Sequence, residues 1–241
     1  MFVEDWLSWL PSMLEGLWTA LGVTILALVV GLPLGALLGI GSSVRTRSVR
    51  AACVTIVEVG RGIPALVFLY LVYYGLTEFG LTLTSFAAAV VGIGLTTAAY
   101  SSELFRAGFE SVPSGEREAA RALGMNGFFT MWDVIVPQGL AVALPSLIGL
   151  AIQMFQATAL AYQIALPELL SRAYSTGTQT FQYLSALALA GLLYLVVTIP
   201  LSFLSQRIAA GSSAGGRRRR GRRSRRSIVP STTALPVVRA R

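Results

Sequence analysis

The chain contains no histidine and no lysine, and Cys53 is its sole cysteine. Without histidine or a second thiol there is no ligand set for a structural zinc, no disulfide framework and no His-based nucleophile triad. Cys53 is therefore expected to pack as a small apolar residue. Without lysine there is no G-x-x-x-x-G-K-[ST] phosphate loop. Charge is scarce as well: 12% of residues are Asp, Glu, Lys or Arg, against about a quarter in an average soluble domain. What fills the chain instead is apolar: 54% of the 241 residues are hydrophobic and the mean hydropathy is +0.69. That balance, distributed in long runs, is the signature of an all-α integral membrane protein.

The net charge of +8 divides unevenly. All 19 basic residues are arginine and ten of them lie in 217–241, a segment with no acid; residues 1–216 carry −2. The N-terminal ten residues hold Glu4 and Asp5 and no basic group, so they do not read as a signal peptide.

A spanning helix needs about 20 mostly apolar residues. Five stretches qualify, at about 17–41, 52–75, 83–105, 137–161 and 183–207, the second interrupted by "EVGRGIP". Pro33, Pro64, Pro145 and Pro200 fall inside these spans, which a bundle tolerates because neighbouring helices satisfy the freed carbonyls. Arg45, Arg47 and Arg50 follow the first span, Arg106, Arg117 and Arg121 the third, and Arg207 and the tail the fifth. Basic residues after each odd span predict an outside N-terminus and a cytoplasmic C-terminus. The expected organisation is an external segment over 1–16, a five-helix transmembrane unit over 17–209 with a cytoplasmic loop at about 108–136, and a disordered Arg-rich tail over 210–241. The tail reads first as a solvated, topology-enforcing segment; attraction to anionic lipid is an alternative, and nucleic-acid binding the least favoured one.

The cytoplasmic loop interrupts the apolar chain with "EREAARALGMNG", Glu116 to Gly127. Pro113 suits a helix start, Glu116 and Glu118 lie at its positive end and Arg121 at its negative end. Gly124 is placed to end the helix with φ > 0, and Asn126 to cap a second short helix carrying Phe128, Phe129 and Trp132 towards Pro137. Ala119, Ala120, Leu123 and Gly124 are expected to cluster on one side, making a compact knob with an apolar face and a charged rim, which fits a partner's groove.

"EAARALGMNGFFTMWDVIVP" resembles the EAA loop of ATP-binding-cassette (ABC) importer permeases: Glu118, Ala119, Ala120 and Gly124 match, and Val134, Val136 and Pro137 occupy its closing positions. "EVGRGIPALVFLYLVYYGL", "AAYSSELFRAGFESVPSGE", "VPQGLAVALPSL" and "TALAYQIALPELL" are similar to segments of the permeases for polar amino acids (the histidine, arginine, glutamine, glutamate and opine importers). The resemblance covers roughly 12–209. It implies a type I importer permease fold in the bacterial cytoplasmic membrane, with Glu118, Ala119, Ala120, Leu123 and Gly124 docking into a cytoplasmic ATPase dimer. It also implies a second permease subunit, homo- or heterodimeric, and an extracytoplasmic solute-binding protein. The chain itself then performs no chemistry and binds no metal or cofactor; ATP and Mg²⁺ belong to the partner ATPase.

Several polar groups lie inside the spans. Glu58 and Arg61, at i and i+3, can pair and brace the kink at Gly62 and Pro64, or act as a gate. Thr96, Tyr100 and Glu103 form an i, i+4, i+7 stripe that lines a path or bonds between helices. Gln153 and Gln156, with Thr158 close by, can pair across a dimer axis or bind a solute's carboxylate and amine. Here the sequence departs from the related permeases. "IGLAIQMFQATAL" stands where many carry "GNxFxxLLKDTSL", so Gln156 and Ala157 replace a lysine and an aspartate. The expected ionic readers of a zwitterion are missing, which fits either a heterodimer whose other subunit supplies them or a less polar solute. A secondary carrier or channel working without an ATPase is the competing reading; it calls for midplane carboxylates and an internal repeat, and neither is present in the sequence. A membrane-anchored scaffold using the Arg tail would leave the EAA-like segment unexplained.

Overall fold

The computed structural model describes residues 4–44 and 46–224, with side chains through residue 210. Among the described residues the chain is helical throughout, without a strand. The helices are α1 (Trp6–Ser42), α2 (Arg47–Gly62), α3 (Ala65–Tyr70), α4 (Ser85–Glu110), α5 (Ser114–Ala122), α6 (Gly127–Phe129), α7 (Val136–Ala157), α8 (Leu169–Thr180) and α9 (Tyr183–Ser224). Four stretches are long and apolar enough to cross a membrane: Trp6–Ser42, Ser85–Glu110, Gly127–Ile164 and Tyr183–Ala210. A bent pair, Arg47–Gly62 with Ala65–Phe79, is long and apolar enough only when its two halves are taken together, which brings the number of spans to four or five among the described residues.

Three boundaries differ from the sequence expectation. First, α1 begins at Trp6 rather than near 17, so most of the segment expected to lie outside the bundle is helical. Trp6, Trp9, Met13 and Leu17 recur every three or four residues, and this stripe packs on Leu169, Ala173, Ala186 and Leu189 of α8 and α9. Second, the second span is no straight rod: its two halves meet at 98°. Ile63 is extended (φ −85°, ψ 125°) ahead of Pro64 (φ −58°, ψ 139°), as expected for a residue that proline excludes from the α region. Third, α9 continues to Ser224, so the expected unstructured tail from 210 opens as helix. Once a helix is nucleated each further residue adds cheaply, and arginine is a good helix former. Residues 225–241 lie outside the described residues.

The bundle is organised by α1 crossing α4. Gly31, Gly35 and Gly39 repeat at every fourth position of α1 and set its backbone against α4. A Cβ at Gly31 would stand 2.5 Å from Cβ of Thr97 and 2.6 Å from the Gly94 carbonyl oxygen, and one at Gly39 2.7 Å from the Ser102 oxygen. Small residues allow such approach where lipid supplies no hydrophobic drive for helices to pack. On the other side of α4, Gly108 meets Gly139 of α7, where an added Cβ would lie 2.5 Å from the Gly139 oxygen. Three apolar clusters fill the remaining space. One joins α1, α3, α4 and α7 through Val23, Leu69, Ile93 and Met154; one joins α1 to α8 and α9; one joins the end of α4 to α7 through Phe105, Phe109, Ile135 and Leu147. Hydroxyls tie distant elements: Ser85 Oγ donates to the Ile164 carbonyl at 2.7 Å and Ser205 Oγ to that of Pro145 at 2.8 Å.

Candidate functional site

The loop between α4 and α7 carries α5. Pro113 precedes its first turn, and the helix closes where Gly124 turns left-handed (φ +76°), its N–H bonding the Arg121 carbonyl and that of Met125 the Ala120 carbonyl. A Cβ at Gly124 would meet nothing within 4 Å; it is the left-handed backbone alone that favours glycine there. Asn126 then caps the next turn, its Oδ1 accepting from the Phe129 N–H at 3.0 Å. The chain widens into a π-helical stretch over Thr130–Ile135 before Val136 and Pro137. Proline has no N–H for the regular ladder, and a π turn absorbs that gap.

The predicted cluster on α5 divides. Ala120 is buried, whereas Glu118, Ala119, Leu123 and Gly124 are exposed, with Leu123 at 81%. Successive helical positions differ by about 100°, so Ala120 seats the helix on the protein's own body while its neighbours face outward. Arg117 fastens the same side: its Nη2 donates to the Phe109 carbonyl at the end of α4, 2.8 Å away. What remains on the outside is an apolar tip, Leu123 with Ala119, beside a carboxylate and an open αL glycine. Phe128, Phe129 and Trp132, exposed by 47 to 67%, extend that apolar surface.

The polar groups of the spans do not gather into one site within this chain. Thr96 is buried and its hydroxyl bonds the Gly92 carbonyl of its own helix at 3.1 Å; Thr158, also buried, bonds that of Phe155 at 2.6 Å. Both are satisfied locally. Tyr100 is 40% exposed, its hydroxyl 3.5 Å from the Arg61 carbonyl and its ring 6.0 Å from the Arg61 guanidinium. The predicted stripe on α4 is thus split between core and surface. Glu103 belongs to a third arrangement, paired with Arg106 at 2.6 Å, and Arg106 in turn reaches Glu110 at 3.0 Å. Glu58 and Arg61 pair at 3.5 Å next to the break between α2 and α3, with both side chains substantially exposed. Gln153 and Gln156 lie on an exposed face of α7, opposite buried Met154 and Phe155, and neither amide is hydrogen-bonded among the described residues. They are open towards whatever covers that face.

One buried acid was not singled out by sequence. Glu168 is fully buried in the connection ahead of α8; its carboxylate accepts from the Leu170 N–H (2.8 Å), the Ser171 N–H (2.6 Å) and the Tyr194 hydroxyl (3.2 Å). Burial pushes its pKa up to about 7, outweighing the two backbone N–H groups and the tyrosine, which favour the charged form. Sequence offers an acid directly after Pro167, inside the family-like segment "TALAYQIALPELL", but Glu is not among the usual N-caps. Among the described residues no group of His, Cys, Asp and Glu could hold a metal ion.

Apolar spans joined by a loop that carries an outward-facing helical knob define a membrane-embedded helical bundle with a surface left uncovered. Comparison with known proteins makes this specific. Residues 31–214 match the family model described as "Binding-protein-dependent transport system inner membrane component", and the chain belongs to that family. The chain is 34% identical over 200 residues to the arginine transport system permease protein ArtQ of Bacillus subtilis, covering 83% of this chain and 91% of that protein. It is 32% identical over 211 residues to the glutamate transport system permease protein GluD of Corynebacterium glutamicum, covering 86% and 77%. Among solved structures, a chain of an amino acid ABC transporter crystallised with histidines superimposes with a TM-score of 0.79 at 30% identity, over 86% of this chain and 96% of the other. An inward-facing MetNI methionine ABC transporter chain shares the fold, with a TM-score of 0.68 at 20% identity. The architecture is that of a type I ABC importer permease, an inner-membrane component of a binding-protein-dependent transport system.

Proposed function

We propose that this chain is the permease of an amino-acid importer and that α5 is the helix through which a cytoplasmic ATPase dimer drives it. The observation that carries the reading is the outward side of α5: Glu118, Ala119, Leu123 and the αL Gly124 face away from the bundle, while Ala120 and Arg117 hold the helix to the ends of the spans. The N-terminus lies outside and the loop bearing α5, with the arginines that follow the odd spans, lies in the cytoplasm. A second permease subunit covers the exposed face of α7, so that Gln153 and Gln156 line the path between the two halves. An extracytoplasmic binding protein delivers the solute, and ATP with Mg²⁺ is held by the ATPase. Transport follows from alternating access: ATP binding and solute loading each favour one of two arrangements of the spans, and only differential contact with the two states moves the equilibrium.

The test is ATP-dependent uptake of radiolabelled amino acids in vesicles containing the chain, its ATPase and the cognate binding protein. Combined Gly124→Trp and Glu118→Lys substitution is expected to abolish uptake and co-purification of the ATPase while membrane insertion continues. Solute flux through the chain in the absence of any ATPase subunit refutes the reading.

A further inference from the structure

A cavity of about 400 Å³ opens where the ends of α1 and α4, the start of α2 and the coupling helix α5 converge, and three arginines line it: Arg50, Arg106 and Arg117. Their situations differ. Arg106 is occupied, its guanidinium paired with Glu103 and with Glu110, the one carboxylate on the cavity wall. Arg50 is exposed and forms no ion pair among the described residues. Arg117 spends Nη2 on the Phe109 carbonyl, and its Nε is buried with no hydrogen-bond partner. A buried donor left without an acceptor is costly, and here it lies beside an uncompensated guanidinium on another helix. Counting three arginines against Glu103 and Glu110, the cluster carries +1, a charge that one phosphodiester neutralises.

The cavity does not stand alone. Phe109 also walls a second, wholly apolar groove of about 260 Å³, which runs along α1 through Ala36 and Ile40 and is closed on the far side by Trp132 and Leu140. An anion pocket and an apolar slot that share one side chain, at the end of two spans, make an amphiphile-shaped site. The half-exposed Trp132 at its rim is the residue type that sits at headgroup level.

We propose that this pair of cavities binds one anionic phospholipid of the inner leaflet, with its phosphate between Arg50 and Arg117 and an acyl chain in the Phe109–Leu140 groove. The site joins α2 to the coupling helix through the lipid, a connection the protein does not make directly by a hydrogen bond or ion pair among the described residues. It touches the outward apolar surface of α5 only at Trp132, and its placement in the inner leaflet rests on the orientation proposed above.

The full-length chain, inserted in phosphatidylcholine vesicles, is exposed to trace photoactivatable phosphatidylglycerol or phosphatidylcholine carrying the same acyl probe, and crosslinked peptides are mapped. The expected result is labelling of peptides containing Phe109 or Leu140 by the phosphatidylglycerol probe, at least about tenfold above the phosphatidylcholine probe. Combined Arg50→Gln and Arg117→Gln substitution brings the two probes level, Arg50→Lys with Arg117→Lys keeps the preference, and Leu140→Trp removes labelling while leaving the arginines intact. Equal labelling by both probes, crosslinks confined to the Arg-rich tail, or displacement by soluble glycerol phosphate (which would make this a free-anion site) overturns the proposal.

Discussion

Replacing Gly31 by alanine tests the organising contact of the bundle with the smallest possible perturbation. The added Cβ would stand 2.5 Å from Cβ of Thr97 and 2.6 Å from the Gly94 carbonyl oxygen, whereas non-bonded carbons settle at about 3.5–4.0 Å. The neighbour cannot swing aside: Cβ of Thr97 is fixed to the backbone, and its hydroxyl is held by the Ile93 carbonyl at 2.7 Å. The two helices must therefore part by about 1 Å, an overpacking that costs about 1–3 kcal/mol. Alanine's better helix propensity returns up to about 1 kcal/mol. Gly22 provides the control on the same helix, because a Cβ there meets only the Phe86 ring, at 3.7 Å, and the propensity gain stands alone. The propensity gain is common to both variants and cancels, so they should differ by the overpacking cost, about 1–3 kcal/mol. At about 2–4 °C per kcal/mol for a chain of this size, Gly31→Ala should melt roughly 2–12 °C below Gly22→Ala. Thermal unfolding in detergent, followed by the monodisperse fraction on size exclusion, reads this directly. Equal stability of the two variants would mean that α1 and α4 are not in backbone contact at Gly31, and the seam described above would be wrong.

Glu168 gives a pH prediction. Its folded pKa of about 7 lies above the ordinary 4.5, so the folded state binds its proton more tightly than the unfolded chain. The associated stability is complete below pH 4.5 and is lost as pH rises through 7. It amounts to roughly 3 kcal/mol, because each tenfold gain in proton affinity on folding is worth about 1.4 kcal/mol. Glu168→Gln should flatten the melting temperature across that window, and a wild-type melting point that rises with pH between 5 and 7 would contradict the assignment. At Gly124, where conformation and not space demands glycine, Gly124→Asn should keep ATPase co-purification near wild type. Gly124→Val should lose it, since a non-glycine residue in the left-handed region costs about 1–2 kcal/mol and asparagine is among the few that tolerate it; equal behaviour of the two would place the requirement elsewhere.

Much of this was legible in the chain. The five apolar stretches, the αL position of Gly124 and the Asn126 cap follow from composition and local chemistry, because each depends on residues within a few positions of one another. What sequence did not reveal depends on three-dimensional neighbours. Helical periodicity placed Thr96, Tyr100 and Glu103 on one stripe, but Thr96 is buried with its hydroxyl on the Gly92 carbonyl, while Glu103 is claimed by Arg106 three residues on. Ala119 and Ala120 are adjacent small residues that pattern alone grouped together; only the packing of α5 on the loop separates seat from contact surface. Residues 6–16 contain Glu15 and Pro11 and did not read as span, yet Trp6, Trp9 and Met13 find a partner surface on α8 and α9 some 160 residues away in sequence. Glu168 was hidden for the same reason: its burial is made by α1 and α9, and its phenolic partner, Tyr194, lies in the next span.

The transmission proposed above, from α5 into the membrane, would run through the place where the loop is rooted. The segment leaves α4 just after Gly108 and Phe109 and rejoins α7 just before Gly139, and these two glycines bring the roots into backbone contact: a Cβ at Gly139 would lie 3.0 Å from the Gly108 carbonyl carbon and 2.7 Å from the Phe109 ring. Arg117 grips the Phe109 carbonyl at the same place. A displacement of α5 is therefore delivered to α4 and α7 together, since packed helices in contact move as a unit and not as independent levers. Gly108→Val opens that junction without touching the outward face of α5. ATPase binding should survive, and hydrolysis should continue, while solute moved per ATP falls several-fold in reconstituted vesicles. An unchanged ratio, with the junction shown to be opened by an introduced pair of spin labels, would mean that the stroke reaches the spans by another route.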